Sequence, residues 1–346
     1  MIDPADIAAV IAELGLPAYR GRQVYEALTK RLAADYDEIT SLPAALRREL
    51  AARLPLVSLR EVLTQTSRGA RKALFATADG HQVEAVLMKH ARRATVCVST
   101  QVGCAVGCVF CASGRLGLKR SLSAEEMVDQ VLHFARVLRA ERRMVTNVVF
   151  MGMGEPFHNY EQTLRACRLL NDGDGFGLAA RAISVSTAGV VPGIDRFARE
   201  PLQLNLAVSL HAATDELRDR LVPLNRSYPL DDVFAACRRY VDRTRRKLFF
   251  EYVVLAGVND TVEQAAALAP RLRRPLYHLN LIAYNETGGR FARPGEERLA
   301  AFRRAVESAG VSCTVRRSPG GEIEAACGQL ALRRDAANGE PEAPAP

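Results

Sequence analysis

The strongest constraint on the fold is a regular alternation of short apolar runs with amphipathic helical segments, which begins at Thr95 and continues almost to the end of the chain. The apolar runs have the length of strands, and the segments between them are long enough to form helices. The runs span residues 95–99, 145–151, 182–186, 204–209, 248–255, 276–283 and 311–316. Strands that alternate with helices pair in parallel, so this region predicts an α/β fold built as a full or partial (β/α) barrel.

The beginning of the chain has a helical pattern instead. Ile7, Ile11 and Leu14 recur at helical spacing, and a second helical run begins at Val24. The sequence therefore predicts a small helical accessory domain over residues 1–56.

Short strand-like runs connect this helical part to the alternating region. They lie at residues 57–66, 71–77 and 83–89. We interpret 57–94 as a β linker or hairpin that leads into a core of residues 95–334. The final segment, 335–346, is rich in Pro and Ala without periodicity and is expected to be disordered.

Composition limits the class of protein. At 346 residues, the chain can form one large core and a small accessory unit, and its 48% apolar and 25% charged residues are typical of soluble globular proteins. Residues 1–9 have no leader-peptide pattern, and no apolar run reaches the roughly 18 residues that a membrane span requires. We therefore expect a cytoplasmic protein without a membrane partner.

The chain is basic, with 47 Lys and Arg against 39 Asp and Glu and a net charge of +8. Many of the basic residues stand side by side, as in Arg92-Arg93, Arg142-Arg143, Arg245-Arg246-Lys247, Arg316-Arg317 and Arg333-Arg334. Such clusters fit contact with a polyanion such as nucleic acid. Arginine pairs on a solvated surface are the competing interpretation, and charge alone does not choose between them.

Three of the eight cysteines are clustered at the end of the first predicted strand of the core, as Cys104, Cys108 and Cys111. Closed zinc sites and ordinary iron–sulfur clusters take four protein ligands, whereas this C-x3-C-x2-C loop offers three. The loop therefore suggests a [4Fe–4S] cluster with one open iron. Buried thiols or half of a zinc site are the alternatives. The cysteines in helix-like or strand-like apolar patterns are interpreted as core residues, namely Cys167, Cys237 and Cys313.

Further polar residues follow the ends of later predicted strands, where parallel strands bring their loops to one edge of a barrel. In the run Met151 to Pro156, the glycines would let the backbone approach a ligand, and Glu155 offers a carboxylate to an amine. Other residues at strand ends offer hydrogen-bonding groups to a nucleoside or a carboxylate, and they are Ser186, Ser209, His211 and Asn285. Taken singly, these features are just as compatible with ordinary turns and helix caps.

Two cysteines outside the loop form a further candidate pair. Cys97 lies in the strand before the loop, and Cys327 lies near the end of the chain. Each alone would be unremarkable.

Taken together, these motifs resemble a known family. The cysteine spacing and the Gly-Glu-Pro turn are similar to those of radical S-adenosylmethionine (SAM) enzymes. From about Ala18 to Leu332 the chain resembles the RlmN/Cfr family of radical SAM RNA methyltransferases. The segments that carry this resemblance are VEAVLM, CVSTQVGCAVGCVFCASG, GMGEP, STAGVVP, SLHAATDELRDRLVPLN and EIEAACGQL.

The resemblance implies a partial barrel that methylates an adenine ring carbon in RNA. RlmN-type members modify C2 of an adenine in 23S ribosomal RNA and, in some bacteria, in transfer RNA, whereas Cfr-type members modify C8. Because an adenine C2–H carbon is not nucleophilic, its methylation calls for a radical. Pro156 is retained here, as in RlmN-type chains, which favours C2. Ala283 and Glu286 replace prolines that the family commonly has around Asn285, and this weakens the assignment of Asn285.

The resemblance also implies residue roles. Cys104, Cys108 and Cys111 would hold the cluster, Cys327 would become S-methylcysteine, and Cys97 would form a transient disulfide with Cys327. Glu84 would accept the ring proton. The implied SAM contacts are Gly154, Glu155, Ser186, Ser209, Leu210, His211 and Asn285. Two SAM molecules would be used per turnover, with an electron donor such as flavodoxin or ferredoxin, by a monomer.

Two other hypotheses remain open at this point. A radical SAM enzyme acting on a small molecule or peptide would share the cluster without needing Cys97 and Cys327 as a pair. A zinc-stabilised or cluster-stabilised RNA-binding protein without catalysis would need neither SAM nor Glu84.

Overall fold

The computed structural model describes residues 3–287, 289–316 and 320–330, apart from the side chain of Glu322. It begins with a group of three helices. They are α1 (Pro4–Glu13), α2 (Tyr19–Thr29) and α3 (Ala44–Arg53). Asp3 caps α1 by accepting a hydrogen bond from the Ala5 amide at 2.8 Å, and Ile7 and Ile11 are buried on one side of the helix.

Twelve strands follow among the described residues. They are β1 (Leu59–Ser67), β2 (Ala70–Thr77), β3 (Gln82–Lys89), β4 (Ala94–Cys97), β5 (Gln101–Val102), β6 (Arg120–Ser121), β7 (Asn147–Phe150), β8 (Ile183–Thr187), β9 (Asn205–Ser209), β10 (Leu248–Val254), β11 (Tyr277–Ala283) and β12 (Cys313–Arg316). The strands predicted from the apolar runs are confirmed, with ends displaced by at most a few residues.

Ten of these strands form one sheet in the order β1-β2-β3-β4-β7-β8-β9-β10-β11-β12. The strands from β4 to β12 pair in parallel, whereas β1 to β4 pair antiparallel. The predicted α/β partial barrel is confirmed. The strands expected in a linker thus continue the same sheet.

Helices connect the parallel strands. They are α4 (Ala112–Arg115), α5 (Ala124–Ala140), α6 (Tyr160–Asn171), α7 (Val191–Phe197), α8 (Asp215–Leu221), α9 (Leu230–Thr244), α10 (Val262–Leu272) and α11 (Glu296–Ser308). The capping box predicted for α5 is present, because Ser123 Oγ accepts from the Glu126 amide and Glu126 accepts from the Ser123 amide at 2.9 Å.

The end of the described chain reaches from one end of the sheet to the other. After β12, the short 3-10 helix Gly321–Ile323 packs against β1, and Lys72 of β2 donates a hydrogen bond to the Glu324 carbonyl at 3.4 Å. Gly320 lies tight against β2, since a Cβ there would come within 2.8 Å of Ala70 Cβ. The segment that carries Cys327 therefore crosses the opening of the partial barrel.

One contiguous apolar core extends from α1 and α2 through the sheet to α11. The division into domains at residues 56 and 94 stays a prediction, and the tail 335–346 lies outside the described residues. None of the helices in the described part of the chain has the length and apolarity needed to cross a bilayer.

Candidate active site

The three clustered cysteines lie on a loop whose base is the antiparallel pair β5–β6. The loop is folded tightly by its own backbone: the Cys104 amide donates to the Gly117 carbonyl and the Cys111 amide to the Cys108 carbonyl, both at 3.1 Å. A Cβ on Gly114 would lie 2.8 Å from the Cys108 carbonyl oxygen, so glycine is needed for α4 to pack against the loop.

The thiols of this loop lie in an environment that disfavours bare charge. Burial raises the pKa of Cys104 to about 12 and raises that of Cys108 well above its usual range, and the neighbouring cysteine sulfurs add to the shift at Cys108. Thiolates held in this way need a cation, and thiolate is the donor type that iron–sulfur clusters take.

Within the described residues, no three His, Cys, Asp or Glu side chains converge on a single metal ion. A cubane makes a weaker geometric demand, because each thiolate binds a different iron. Three soft donors on one cavity wall fit such a cluster.

The Gly-Glu-Pro turn packs directly against the chain that leads into the cysteine loop. A Cβ on Gly152 would lie 2.6 Å from Ser99 Oγ, and one on Gly154 would lie 2.6 Å from Gln101 Cβ. The Glu155 amide donates to Gln101 Oε1 at 2.9 Å. These glycines therefore fix two loops against each other.

Glu155 itself is buried and bonded within the protein. Its carboxylate accepts hydrogen bonds from the Phe157 amide at 3.0 Å and from the Ala188 amide at 2.7 Å. Burial raises its pKa to about 7, while these hydrogen bonds and one from Thr187 act in the opposite direction. The carboxylate thus joins its own turn to the loop after β8.

Ser186 and Ser209, at the ends of β8 and β9, line the cavity in front of the cysteine loop, together with His211. Leu210 has its side chain in the apolar core, and its backbone amide donates to the Glu251 carbonyl at 2.9 Å. Because the side chain and the amide are both occupied, a contact of Leu210 with a ligand would have to use its backbone carbonyl.

His211 is held in one tautomer. Its Nδ1 accepts from the Val253 amide at 3.0 Å, which places the proton on Nε2. Burial, followed by the nearby Arg218 cation, lowers the pKa of His211 to about 3, so the ring is neutral. The residue has φ +62°, and its ring contacts Phe110 edge to face at 4.9 Å. It therefore offers a fixed N–H donor.

Arg218 was not identified from the sequence, although it organises both loops. The side chain is fully buried, and its guanidinium donates to the backbone carbonyls of Leu210 at 3.0 Å and Ala188 at 2.6 Å. It also donates to the Ser209 carbonyl at 3.0 Å. Burial lowers its pKa to about 10. Periodicity gave no signal for it, because a charged residue on a short helix is normally exposed.

The segment around Cys327 is bonded to the cysteine loop. The Ala112 amide donates to the Gly328 carbonyl at 2.8 Å, and Ser113 Oγ donates to the Leu330 carbonyl at 2.7 Å. Asn285 Nδ2 donates to the Cys327 carbonyl at 3.4 Å. Asn285 is thus placed against the Cys327 segment and does not line the cavity.

The two cysteines predicted to act as a pair are brought together in space. Electrostatic interaction with Cys327 adds to burial in raising the pKa of Cys97 to about 12. Arg316 interacts with the sulfurs of both, and it lines the cavity beside Cys327. Both cysteines are thiols in the structure. Cys167 and Cys237 are fully buried, as expected for core residues, whereas Cys313 is partly exposed.

Glu84 lies on the face of the sheet that also carries Cys97. The register pairs Val86 with Cys97, and Glu84 is two residues from Val86. Glu84 is 1% exposed, and its Oε1 is 3.0 Å from Lys72 Nζ. Glu84 is not among the residues that line the cavity in front of the cysteine loop.

The resulting space, which we call the upper cavity, has a volume of about 160 Å³. The predicted site residues that line it are Cys104, Cys108, Cys111, Gly154, Glu155, Ser186, Ser209, His211 and Cys327. The predicted site residues outside the lining are Glu84, Cys97, Leu210 and Asn285. Its mixed lining of apolar side chains and a few polar groups is typical of a site for a small organic ligand.

Comparison with known proteins gives consistent results. The profile of the radical SAM superfamily matches residues 98–269. A protein of Chloroflexus aurantiacus named "Probable dual-specificity RNA methyltransferase RlmN" is 47% identical over 343 residues, which cover 95% of this chain and 91% of that protein. A protein of Nitrosopumilus maritimus named "Ribosomal RNA large subunit methyltransferase N" is 42% identical and covers 94% of this chain and 96% of its own.

The fold is also similar to a solved structure. The crystal structure of a radical SAM methyltransferase from Sphaerobacter thermophilus superimposes with a TM-score of 0.93 at 51% identity and covers 94% of this chain and 97% of that one. The similarity therefore includes the helices before the sheet as well as the barrel.

Proposed function

Because this chain belongs to the RlmN family of radical SAM RNA methyltransferases, we propose that it methylates C2 of an adenine in 23S ribosomal RNA and in transfer RNA. The names of its relatives support these substrates, since they specify large-subunit ribosomal RNA and dual specificity. Pro156, which the sequence shares with RlmN-type chains, supports C2 over C8.

Membership of the family implies a [4Fe–4S] cluster and SAM. Cys104, Cys108 and Cys111 would hold the cluster on one wall of the upper cavity. When bound, the cluster would give SAM the electron that converts it into a source of a carbon radical. We assign SAM binding to the loops with Gly154, Glu155, Ser186, Ser209, Leu210, His211 and Asn285. In this group His211 offers a fixed Nε2–H donor, while Leu210 and Asn285 act through the loops that they hold.

The S-methylcysteine step belongs to Cys327. Cys327 lines the upper cavity, and Arg316 is a cation close enough to stabilise a thiolate there. As a nucleophile it would take a methyl group from one SAM, and a second SAM would start the radical chemistry, which gives two SAM molecules per turnover.

Release of the product is assigned to Cys97. Once the methyl carbon has bonded to adenine, Cys97 gives up its thiol proton and its sulfur attacks the Cys327 sulfur. The S–S bond forms as the S–C bond breaks, and the product carbon takes the electron pair of that bond together with a proton. The disulfide then has to be reduced by an external thiol. The proximity of the two sulfurs supports this assignment.

Glu84 is assigned the role of general base for the ring proton. It shares the Cys97 face of the sheet, and Lys72 keeps a positive charge 3.0 Å from its carboxylate. Since Glu84 does not line the upper cavity, the adenine would have to reach the Cys97 face of the sheet to meet it.

The observation that carries the proposal is that Cys327 and the cysteine loop line one cavity and that Cys97 lies close to Cys327. The remaining parts of the proposal are cytoplasmic action, a monomeric enzyme, and an electron donor of the flavodoxin or ferredoxin type. The net charge of +8 fits an RNA substrate.

The test is nucleoside mass spectrometry on 23S ribosomal RNA and transfer RNA incubated with the anaerobically reconstituted enzyme. We expect 2-methyladenosine from the wild type and none from Cys327→Ala. Formation of 8-methyladenosine would contradict the C2 assignment, and full turnover by Cys327→Ala would contradict the S-methylcysteine step.

A further inference from the structure

A second cavity, which we call the lower cavity, opens at the amino-terminal edge of the parallel strands. It has a volume of about 560 Å³. His90, Arg93 and Asn147 line its mouth, and Phe249 and Asn280 lie deeper on its walls.

The lower cavity meets the upper one inside the barrel. Met151, Glu251 and Arg316 line both spaces. The barrel interior is therefore accessible from the edge opposite the cysteine loop, and the two cavities meet close to the pair Cys97 and Cys327.

Exposed basic residues are frequent at the amino-terminal edge where this cavity opens. They directly precede the parallel strands, or stand within a few residues of them, and are Arg92, Arg93, Arg142, Arg245, Lys247, Arg273 and Arg274. The acidic residues of this edge are fewer, and two of them are already paired: Glu141 lies 2.8 Å from Lys89, and Glu200 lies 3.0 Å from Arg168. Asp242 and Glu307 are the others near it.

Helix dipoles favour basic residues at helix ends, which accounts for some of this charge. They do not account for Arg92 and Arg93, which lie in the connection between β3 and β4, where no helix ends. These basic residues, which we call the basic rim, lie at the edge where the cavity opens, and that arrangement suits the phosphates of a nucleic acid.

The junction of the two cavities contains a carboxylate with an unused oxygen. Glu251 is 5% exposed, and its Oε1 accepts from Asn280 Nδ2 at 2.9 Å and from Arg316 Nη1 at 3.1 Å. In the described part of the chain, Glu251 Oε2 is buried and has no hydrogen-bond partner. A carboxyl oxygen left in this state calls for a hydrogen-bond partner from a ligand, because a buried polar atom without a partner is costly.

We propose that the target adenine enters through the lower cavity, that the basic rim binds the RNA backbone around it, and that Glu251 Oε2 accepts a hydrogen bond from the adenine N6 amine. This inference rests on the proposed RNA methyltransferase function and adds the route and the recognition contact. Adenine is the base whose exocyclic group at C6 donates, whereas guanine presents an acceptor there. The carboxylate would therefore attract adenine and repel guanine.

The lower cavity also offers a surface on which a base can stack. Phe249 is half-buried on its wall, with Lys247 Nζ 5.6 Å from the ring centroid. Enzymes that modify a base move it out of its stack and hold it against such side chains. From Phe249, the strand β10 leads two residues further to Glu251 on the same face.

The recognition contact is tested with Glu251→Gln and a matched RNA pair. The RNAs are a 23S ribosomal RNA fragment with adenine at the methylated position and the same fragment with purine, which lacks only the amine. For the wild type, we expect removal of the amine to lower kcat/KM by at least tenfold. In Glu251→Gln the amide oxygen can still face Asn280 and Arg316, and the NH2 group takes the place of Oε2. The ratio of kcat/KM for the adenine RNA to kcat/KM for the purine RNA should then fall to within twofold. The control is Asp260→Asn, a buried carboxylate paired with Arg298 at 3.1 Å outside both cavities, which should keep the wild-type ratio.

An unchanged ratio in Glu251→Gln would overturn the contact. SAM binding to the reconstituted variants, measured without RNA, separates another explanation: if Glu251→Gln weakens SAM binding tenfold and leaves the base preference intact, Glu251 belongs to the SAM site. Complete absence of methylated adenine in the wild type would instead refute the proposed function, so the two failures are distinguishable.

The docking face is tested by the salt dependence of RNA binding, which needs no turnover. We expect Arg92→Ser/Arg93→Ser/Lys247→Ser to reduce the slope of log K against log salt by about two, as expected when two to three phosphate contacts are lost. The control triple variant Lys119→Ser/Arg220→Ser/Arg290→Ser removes equal charge from exposed positions at the cysteine-loop edge. Its slope should stay within about 0.5 of the wild type. Equal losses in both variants, or a larger loss in the control, would overturn the assignment.

Discussion

The two edges of the barrel differ in how deeply their polar side chains are buried. At the carboxyl edge the loops bond to one another through buried side chains, as with Arg218 and Glu155. At the amino edge the polar groups are exposed, and Arg246 bonds the Leu202 and Leu204 carbonyls from a half-buried position. The carboxyl edge is therefore a preorganised site held by buried hydrogen bonds, whereas the amino edge is an exposed, charged surface.

This difference shows how one barrel can serve two demands. Radical chemistry requires exclusion of water and fixed geometry, which buried hydrogen bonds supply at the carboxyl edge. Binding of a polyanion requires exposed and adaptable cations, which the amino edge supplies. Equivalent substitutions at the two edges should therefore have unequal effects.

The largest contrast is expected between two cysteines. Cys108→Ala removes a proposed cluster ligand at the carboxyl edge, so we expect loss of the cluster and no detectable methylated RNA. Cys313→Ala, at the start of β12 on the amino edge, should retain both. Iron content, visible absorbance and nucleoside mass spectrometry measure the result. A Cys108→Ala protein with full iron content and activity would contradict the ligand assignment.

Next in size is the contrast between two arginines that both bind carbonyl groups. Arg218→Met should lower the free energy of unfolding by about 4 kcal/mol, because several buried carbonyls lose their donors. Arg246→Met should cost about 1 kcal/mol, since water can replace its hydrogen bonds. Urea unfolding gives both values. Equal losses of unfolding free energy in the two variants would show that burial of the arginine does not distinguish the two edges.

A similar contrast is expected for two ion pairs, one buried and one partly exposed. Lys72→Met removes the cation that lies 3.0 Å from the buried Glu84 carboxylate, and we expect a loss of about 3 kcal/mol. Lys89→Met breaks a partly exposed pair with Glu141 and should cost about 1 kcal/mol or less. In Lys72→Met/Glu84→Gln, part of the loss should be recovered. If it is not, loss of the Lys72–Glu84 ion pair is not the cause.

The smallest effect concerns pH. Burial lowers the pKa of His211 to about 3, below the value near 6.5 expected in the unfolded chain. Between these values the unfolded chain binds the proton and the folded protein does not, so stability falls as pH decreases. Between pH 6.5 and 5.5 we expect the wild type to lose about 1 kcal/mol of stability because of His211, and His211→Gln should not show this loss.

His278 at the amino edge is the control for this measurement. Burial also lowers its pKa, but the side chain is only partly enclosed and bonds the hydroxyl groups of Ser312 and Thr314. His278→Gln should change the pH dependence little. Urea unfolding at the two pH values distinguishes the variants, and identical curves for both would contradict the enclosure of His211.

Much of the fold could be predicted from the sequence because its signal is local. Apolar periodicity and the Ser123 capping box mark individual elements, and alternation of strand and helix implies parallel pairing. The continuation of the sheet into β1 to β3 could not be predicted in this way, since pairing of β3 with β4 depends on contacts that a local pattern does not specify.

The site shows the same limit. The cysteine loop is local in sequence, so its spacing alone indicated its chemistry. Arg218 and Glu251 gave no such signal, because their importance arises from which carbonyls and cavities surround them after folding. The resemblance supplied residue names, but the bonding of Leu210, Asn285 and Glu84 away from the upper cavity became evident only from the packed structure.

The central claim is that Cys97 and Cys327 act on one methyl group in the cavity that holds the cluster. A single-turnover reaction of reconstituted Cys97→Ala with 23S ribosomal RNA, followed by mass spectrometry of the Cys327 peptide, tests it most directly. Because no thiol can then attack the Cys327 sulfur, we expect RNA covalently attached to Cys327 through the methyl carbon. Release of free methylated RNA at the wild-type rate would contradict the claim.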